Sequence, residues 1–431
     1  MMTAAAHFEA PRGMRDFYPD EMAVRNAIFN VWVRSARAFG FAQYDACVVE
    51  SLDLLKRKSG EEIVGQIYAF KDKSNRDLAL RPEMTPTLAR MIAERQGQLA
   101  FPLKWFAVAQ CFRYERMSRG RKREHYQWNL DVVGESCVSA EVEVLACAVH
   151  ALGLLGLNAG EVKIHLSSRA LLADLLAKAG IPPAFHAATF LALDKRGKLE
   201  DADIRRLLQE SGLDTAAVEA VFRISGIQSL EQAAAMLGEQ TPSLAAVQTL
   251  FQLANEYDFG AMLCFDIGVV RGLDYYTGIV FEAFDAERKF RALFGGGRYD
   301  NLLGDVGGTP MTAVGLGFGD VVIAELLAEK GRLAGLQVRL NCAVGYMDDR
   351  QQVIAMRVAR ALRRAGQTVD LALHAEKPKQ FFGRVGKGGF QKAVYVGPDD
   401  VARGAVRIKN LDDRTEEEKP LIDLLGNKGL Q

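Results

Sequence analysis

A basic loop between two strand-like segments is the feature that most constrains how this 431-residue chain can fold. Residues 106–109 form an apolar run typical of a buried strand. If the extended conformation continues past Cys111, alternate residues share a face, as they do on the return segment 126–131. We therefore predict an antiparallel hairpin with a polar surface. The residues expected on that surface are Arg113, Glu115, Gln127, Asn129 and Asp131.

The loop of this hairpin is strongly basic. Such a loop is too charged to bury without anionic partners, and charge by itself is more typical of a solvated surface than of a site. The competing interpretation is a polyphosphate bound on the strands and a nucleic-acid end bound at the loop. The loop cations are Arg116, Arg119, Arg121, Lys122 and Arg123.

Composition indicates an ordinary globular protein whose overall charge attracts no particular partner. Lysine plus arginine equals aspartate plus glutamate at 54 each, so nucleic-acid binding must come from local patches. The six cysteines are scattered without a CxxC pair, which argues against a zinc site or disulfide framework and favours a reducing compartment. The sequence lacks an eighteen-residue apolar run and a signal-like N-terminus, so we predict a cytoplasmic protein with no membrane contact and no protein-bound metal site.

The order Phe-Arg-x-Glu, loop, Arg-x-Arg-Glu at residues 112–124 resembles motif 2 of class II aminoacyl-tRNA synthetases. This resemblance implies an α+β catalytic domain with a mixed, mainly antiparallel sheet. It also implies that Arg113 contacts the α-phosphate of ATP and Glu115 the adenine amino group. Arg121 or Arg123 would contact the terminal phosphates, and Arg116 would meet the acceptor end of a tRNA, although Met117 and Ser118 replace the usual glutamine there.

The segment Arg-Gly-Leu-Asp-Tyr-Tyr at residues 271–276 is more specific, because it resembles the signature of the histidyl-tRNA synthetase family. Without that resemblance, an exposed arginine beside core tyrosines would be about as good an interpretation. The resemblance implies that Arg271 contacts both the α-phosphate and the substrate carboxylate. It places Tyr276 at the imidazole, with Tyr275 as a neighbouring wall.

Further pocket residues come from three other segments of the chain. Arg-Pro-Glu-x-Thr at residues 81–85 ends a predicted strand, and the resemblance implies that Glu83 and Thr85 hold the substrate amino group together with Gln127. Asp131 would contact the imidazole, although the family usually carries glutamate there. Tyr299, in the Gly-Gly-Gly-Arg-Tyr-Asp turn, would border the same pocket.

Two further motifs depart from the family pattern. Gly315, Gly317 and Gly319 alternate, and we expect them to clear one sheet face for a flat ligand such as adenine. Val322 then occupies the position of the usual motif 3 arginine, so the site must obtain that cation elsewhere or bind ATP more weakly. Cys47 replaces the usual proline of motif 1, the segment whose resemblance implies a homodimer.

The chain divides into four predicted segments. Residues 1–168 and 257–330 form the catalytic domain, interrupted by an Ala- and Leu-rich helical insertion at 169–256. Residues 336–431 alternate strand and helix patterns, which predicts an α/β domain with a largely parallel sheet that resembles an anticodon-binding domain. Its basic run is either a phosphate-binding patch or a solvated face. The residues of that run are Lys377, Lys379, Arg384, Lys387 and Lys392.

The function implied by the resemblance is a ligase that joins histidine to its tRNA. ATP, with Mg²⁺, would activate histidine as an adenylate, which is then transferred to the 3′ end of the tRNA. The alternative is a non-catalytic histidine sensor resembling the regulatory subunit of ATP phosphoribosyltransferase, which the Val322 departure favours. A general RNA-binding module is the third class, but it would not require the segment at 271–276.

Overall fold

The chain forms two units, residues 1–336 and residues 337–431. The computed structural model describes residues 8–58, 65–196, 199–270, 275–336 and 340–425. No helix in these ranges combines the length and the apolar character that crossing a bilayer requires.

The first unit is built on an eight-stranded sheet with the spatial order β1-β5-β6-β11-β10-β9-β7-β8, beside a three-stranded sheet with the order β2-β4-β3. In the large sheet β1 pairs with β5, and β7 with β8, in parallel, while the other pairings are antiparallel. This confirms the predicted mixed, mainly antiparallel sheet. In chain order the strands are β1 (Ala42–Gln43), β2 (Val49–Ser51), β3 (Ala69–Lys71), β4 (Asp77–Leu80), β5 (Leu103–Phe112), β6 (Glu124–Val133), β7 (Val162–Ser168), β8 (Leu263–Phe265), β9 (Ile279–Asp285), β10 (Phe294–Tyr299) and β11 (Ala313–Gly319).

Helices cover one face of the large sheet. In α1 the buried residues Ile28 and Trp32 recur at helical spacing, and the Trp32 ring lies 5.9 Å from that of Trp128 and 5.4 Å from that of Phe318. The opposite sheet face carries polar residues over part of its length and, beside them, an apolar cluster in which Leu88 and Ile92 of a further helix pack with Leu103 and Val133 of the sheet. The longer helices of this unit are α1 (Pro19–Ala38), α2 (Leu52–Lys58), α3 (Thr85–Arg95), α4 (Ser139–Leu154), α5 (Arg169–Lys178), α6 (His186–Asp194), α7 (Asp201–Glu210), α8 (Thr215–Ser225), α9 (Leu230–Leu237), α10 (Pro242–Glu256), α11 (Leu302–Asp305) and α12 (Asp320–Glu329).

Six of these helices, α5 to α10, follow one another between β7 and β8. Several begin at a side chain that accepts a hydrogen bond from a backbone N–H of the first turn, as Ser168 does from Leu171 and Asp214 from Ala217. Their buried leucines and valines belong to the same apolar core as the helix-covered face of the large sheet. The insertion is thus packed as part of the first unit.

The second unit has a five-stranded sheet in the order β13-β12-β14-β15-β16. β12 is parallel to β13 and β14, but β14–β15 and β15–β16 are antiparallel, so the prediction of a largely parallel sheet was wrong. The β15–β16 pair is antiparallel because the short connection at residues 411–415 joins these two strands as a hairpin. The elements are β12 (Cys342–Tyr346), α13 (Asp349–Arg364), β13 (Val369–Leu371), α14 (Pro378–Lys387), β14 (Lys392–Val396), α15 (Pro398–Arg403), β15 (Ala405–Asn410), β16 (Glu416–Pro420) and α16 (Leu421–Leu425).

Candidate active site

The other face of the large sheet carries the polar residues predicted from the hairpin. β6 lies between β5 and β11, and directly paired residues of antiparallel strands share a face. Gln127, Asn129 and Asp131 therefore point to the side opposite Trp128, in register with Gly319, Gly317 and Gly315 respectively. β5, however, ends at Phe112, so the expected extension through Glu115 was wrong. Arg113, the next residue, instead begins a turn, in which the N–H of Glu115 donates to the carbonyl of Arg113.

The glycines of β11 make room for these side chains. A Cβ at Gly315 would lie 2.1 Å from Oδ1 of Asp131, and a Cβ at Gly317 would lie 2.2 Å from Nε2 of Gln127. The space predicted to hold a flat ligand at these two positions is thus occupied by polar side chains from β6. At Gly319 a Cβ would meet no atom within 4 Å, so the cleared space lies at that end of β11.

One end of the face, which we call the pocket end, consists of Glu83, Asp131, Tyr275, Tyr276 and Tyr299. The Tyr299 hydroxyl donates to Oδ1 of Asp131 at 2.7 Å, and the Tyr275 hydroxyl donates to Oε2 of Glu83 at 3.1 Å. The Tyr275 ring lies 4.8 Å from the Tyr276 ring and 5.8 Å from the Tyr299 ring. All five side chains are buried. The structure therefore brings together residues that are up to 216 positions apart in the sequence.

Asp131 has an unusual environment for a carboxyl group. It is 1% exposed, and burial raises its pKa to about 7, although the hydrogen bond from Tyr299 acts in the opposite direction. Oδ2 of Asp131 has no hydrogen-bond partner in the described part of the chain. This end of the face therefore holds an acceptor that a ligand's N–H could satisfy.

Thr85 and Gln127 lie at the border of this pocket. Thr85 is buried and opens α3, two residues after Glu83. Nε2 of Gln127 donates to Oδ1 of Asn129 at 3.2 Å, and its amide oxygen lies 3.4 Å from Nε2 of His125. His125 was missed by the sequence reasoning, although the alternation that selects residues 127, 129 and 131 also selects it. Burial and the charge of Arg113 lower the pKa of His125 to about 3, so its ring stays neutral.

At the other end, which we call the loop end, three of the predicted cations contact other protein groups. Nε of Arg113 donates to the Pro82 carbonyl at 3.0 Å. Arg121 forms an ion pair with Glu115, and the Arg123 guanidinium lies 3.8 Å from the centre of the Tyr114 ring. Arg116 is exposed. The loop end thus presents several guanidiniums, of which that of Arg121 is paired with a carboxylate.

The tip of the loop contacts helix α12. The N–H of Gly120 donates to Glu325 at 3.0 Å, and Arg119 lies 3.1 Å from Glu329. Val322, at the position of the expected motif 3 arginine, lies directly below, since a Cβ at Gly120 would be 3.3 Å from it. In this conformation the apolar side chain of Val322 lies beside the loop at the position where the family pattern has an arginine.

An N-terminal arginine, Arg15, links two elements at this end of the sheet, and the sequence reasoning did not assign it this role. Arg15 contacts Glu124 at 2.5 Å and Asp320 at 3.0 Å, and Asp320 also accepts from the Tyr126 N–H at 2.9 Å. Arg15 therefore ties the start of β6 to the start of α12. It is neutralised by these two carboxylates.

Arg271 lies outside the described residues, so its predicted convergence with Arg113 stays a prediction.

The basic run of the second unit is partly neutralised. Lys377, Lys379 and Lys387 are exposed, whereas Arg384 contacts Glu376 at 3.0 Å and Asp370 at 2.8 Å. The basic run is therefore less positive in the fold than in the sequence.

Chemically, this face can position ligands and stabilise charge. The pocket end offers carboxylates and hydroxyls around a flat aromatic space, and the loop end offers guanidiniums that suit phosphate oxygens. Preorganised groups of this kind act through orientation and electrostatics, without a covalent intermediate on the protein.

Comparisons with known proteins agree with this architecture. The family model described as "Histidyl-tRNA synthetase" matches residues 13–319, and the one described as "Anticodon binding domain" matches residues 340–427. The chain is 41% identical over 414 residues to a chloroplastic/mitochondrial histidine–tRNA ligase of Arabidopsis thaliana, covering 96% of this chain and 85% of that protein. It is 39% identical to a histidine–tRNA ligase of Opitutus terrae, covering 96% of each.

A solved structure shows the same fold. The histidyl-tRNA synthetase from Nostoc sp. PCC 7120 matches with a TM-score of 0.81 and 21% identity, over 97% of this chain and 98% of that one. From the matched families and these relatives, the chain belongs to the histidyl-tRNA synthetase family.

Proposed function

We propose that this protein is a histidine–tRNA ligase, which joins histidine to ATP as histidyl-adenylate and then transfers the histidyl group to the 3′ end of the tRNA for histidine. One observation carries the proposal: a buried pocket of carboxylates and tyrosines lies on the same sheet face as the Arg113 loop, in a chain of this family. The reaction releases pyrophosphate. The histidine carboxylate would attack the α-phosphorus in line, and guanidiniums would stabilise the added negative charge.

ATP would occupy the loop end. Arg113 and Arg271 would contact the α-phosphate, Glu115 the adenine amino group, and Arg121 or Arg123 the terminal phosphates. Because Arg121 is paired with Glu115 in the described conformation, ATP binding would require Arg121 to exchange that carboxylate for phosphate oxygens. Mg²⁺ binds mainly through substrate phosphates with one or two carboxylates. Glu282, paired with Gly295 on the same sheet face, is a carboxylate suited to that role.

Histidine would occupy the pocket end. Glu83, Thr85 and Gln127 would hold its amino group, and Arg271 its carboxylate. Asp131 and Tyr276 would meet the imidazole, with the rings of Tyr275 and Tyr299 as walls. Support comes from the burial of these polar groups, because a site built from buried hydrogen-bonding groups rejects ligands that leave them unpaired.

The tRNA would be contacted by both units. Arg116, exposed on the loop, would meet the acceptor end, and the second unit would bind the anticodon through its basic surface of Lys377, Lys379, Arg384 and Lys387. Support comes from the anticodon-binding family match of that unit. Removing residues 337–431 should spare adenylate formation and weaken tRNA charging. Unchanged charging at limiting tRNA would contradict the anticodon assignment.

A homodimer through the small sheet is also proposed. Val49 and Phe70 lie on one face of the β2-β4-β3 sheet, because their partners on β4 are Leu80 and Leu78. Both are exposed, at 39% and 43%. Light scattering after size exclusion should give twice the chain mass, and Phe70→Glu should reduce it. A monomeric wild-type protein would contradict this.

The alternative of a histidine sensor without activity is not favoured. The curated ligases align over nearly the whole chain, and the second unit matches an anticodon-binding domain, which a sensor does not need. ATP–pyrophosphate exchange with each of the twenty amino acids separates the two. We expect exchange with histidine, and its loss by about 100- to 1,000-fold in Arg271→Ala, the effect of losing one preorganised donor. Exchange with none of the twenty would favour the sensor.

A further inference from the structure

Tyr44 follows directly after β1 and carries a hydroxyl to which the site described above assigns no role. Its hydroxyl is buried and has no hydrogen-bond partner in the described part of the chain. A buried polar group without a partner costs stability, so its presence calls for an explanation such as a bound ligand. The aromatic ring could make the same apolar contacts without that hydroxyl.

The position of Tyr44 places this hydroxyl beside the pocket end. The Tyr44 N–H donates to the Phe106 carbonyl at 2.9 Å, and its ring lies 5.7 Å from the ring of Trp105. Trp105 is the direct partner of Asp131 across β5 and β6, so both residues are on the pocket face. Tyr44 also packs against the apolar cluster that contains Tyr275, Tyr276 and Tyr299.

Electrostatics agree with this placement. Burial raises the pKa of Tyr44, and the next largest cause is the charge of Asp131. Tyr44 in turn contributes to the raised pKa of Tyr299, which bonds to Asp131. The three side chains therefore influence one another electrostatically, and Oδ2 of Asp131, like the Tyr44 hydroxyl, has no partner in the described part of the chain.

We propose that Tyr44 is a specificity-determining residue, whose hydroxyl contacts the ring of the bound amino acid alongside Oδ2 of Asp131. A neutral imidazole has one N–H donor and one nitrogen acceptor. The carboxylate oxygen accepts from the first, and the hydroxyl donates to the second. The inference rests on the proposed function for the identity of the ligand, but its geometric basis is independent of any reaction.

The test compares Tyr44→Phe with wild type in histidine-dependent ATP–pyrophosphate exchange. The variant keeps the ring and removes one hydrogen bond, so the KM for histidine should rise about tenfold, since a net hydrogen bond is worth roughly 1 kcal/mol and more in a buried site. The KM for ATP should change less than twofold. An unchanged KM for histidine, or an equal rise for both substrates, would overturn the proposal.

A matched control is Tyr346→Phe. Tyr346 is also buried and its hydroxyl accepts from Gln352 at 3.2 Å, but it lies in the second unit. Tyr346→Phe should leave both KM values unchanged.

Histidine analogues methylated on one or the other ring nitrogen give a second test. Methylation of the nitrogen that contacts Tyr44 should weaken binding of the analogue less in Tyr44→Phe than in wild type. Equal losses of affinity in the two proteins would contradict the contact.

Calorimetric titration with histidine in the absence of ATP separates this inference from the proposed function. If wild type binds histidine but exchanges no pyrophosphate, the ligase proposal fails while weaker binding to Tyr44→Phe still supports the contact. If exchange proceeds and both proteins bind histidine equally, the ligase stands and the Tyr44 contact fails. If wild type neither binds nor exchanges, both fail.

Discussion

The two ends of strand β6 are organised in opposite ways. At the pocket end Asp131 is buried and fixed by Tyr299, and Gly315 is needed beneath its side chain. At the loop end the guanidiniums are partly exposed and contact other protein groups, as Arg121 does with Glu115 and Arg113 with the Pro82 carbonyl. The pocket end is thus formed in advance, whereas the loop end must exchange partners to receive a ligand.

This difference follows from what each end would bind. A small aromatic ligand is selected by fixed, buried hydrogen-bonding groups, which leave little to reorganise on binding. A polyphosphate is held by mobile cations, which need counter-charges when it is absent. The expected consequences can be ranked by the size of their effects.

The largest effect is expected from Arg113→Ala at the loop end. If Arg113 contacts the reacting phosphate as proposed, its loss should remove about 2–4 kcal/mol of transition-state stabilisation, or roughly 100- to 1,000-fold in the rate of adenylate formation. Stopped-flow or pyrophosphate-exchange rates measure this. Arg95→Ala, an exposed arginine at the end of α3, is the control. A wild-type rate in Arg113→Ala would remove it from the site.

Next in size is Gly315→Ala at the pocket end. Its methyl group would collide with Oδ1 of Asp131 and lie 3.0 Å from the Leu130 carbonyl, so the carboxyl group must move. We expect the KM for histidine to rise at least about tenfold, the factor that 1.4 kcal/mol represents. Gly319→Ala, where the added carbon meets no atom within 4 Å, should leave that KM near wild type. Equal effects of the two substitutions on the KM for histidine would mean that the Asp131 carboxyl group can move aside without weakening histidine binding, which would contradict the prediction.

Two buried titratable groups of β6, Asp131 and His125, should make the stability of the fold depend on pH in opposite directions. The pKa of Asp131 is raised to about 7, so the folded state holds its proton more tightly, and this contribution to stability is lost as pH rises from about 4 to 7. The pKa of His125 is lowered to about 3, so its contribution is lost as pH falls below about 6.5. Between pH 4.5 and 6 the two slopes oppose each other, at about 1.4 kcal/mol per pH unit each.

Single substitutions expose these slopes. Relative to wild type, the free energy of unfolding of Asp131→Asn should increase with pH in that window, and that of His125→Phe should decrease. Urea unfolding followed by tryptophan fluorescence reports on the first unit, because Trp32, Trp105 and Trp128 all lie in it. Parallel pH profiles for both variants and wild type would refute the assigned environments.

The smallest effect is expected from Arg119→Gln at the loop tip. Its contacts with Glu325 and Glu329 are exposed, and such ion pairs contribute about 0–1 kcal/mol. The loss in stability should fall further in 0.5 M NaCl, because salt screens exposed charges. A loss that is large and independent of salt would mean that the loop end is as fixed as the pocket end.

Much of the site was predictable from alternation and motif. The period of two along residues 127–131 placed Gln127, Asn129 and Asp131 on one face, because side chains alternate on any strand. The same period could not show that β5 ends at Phe112, which depends on the turn and the contacts of the loop. Alternate glycines were taken as space for a flat ligand, which was wrong at Gly315 and Gly317, where Asp131 and Gln127 fill it. A sequence does not tell whether a ligand or a neighbouring side chain fills such a space.

The sequence by itself determined the strands, the helices that cover them, and the family to which the chain belongs, since these depend on local periodicity and on short motifs. The tertiary structure decided which charges are compensated and which buried atoms lack partners. Arg15 meets Asp320 across 305 positions, and Tyr44 comes to the pocket of Asp131 through the pairing of β1 with β5. Such meetings arise from sheet order and burial, which no local stretch of sequence encodes.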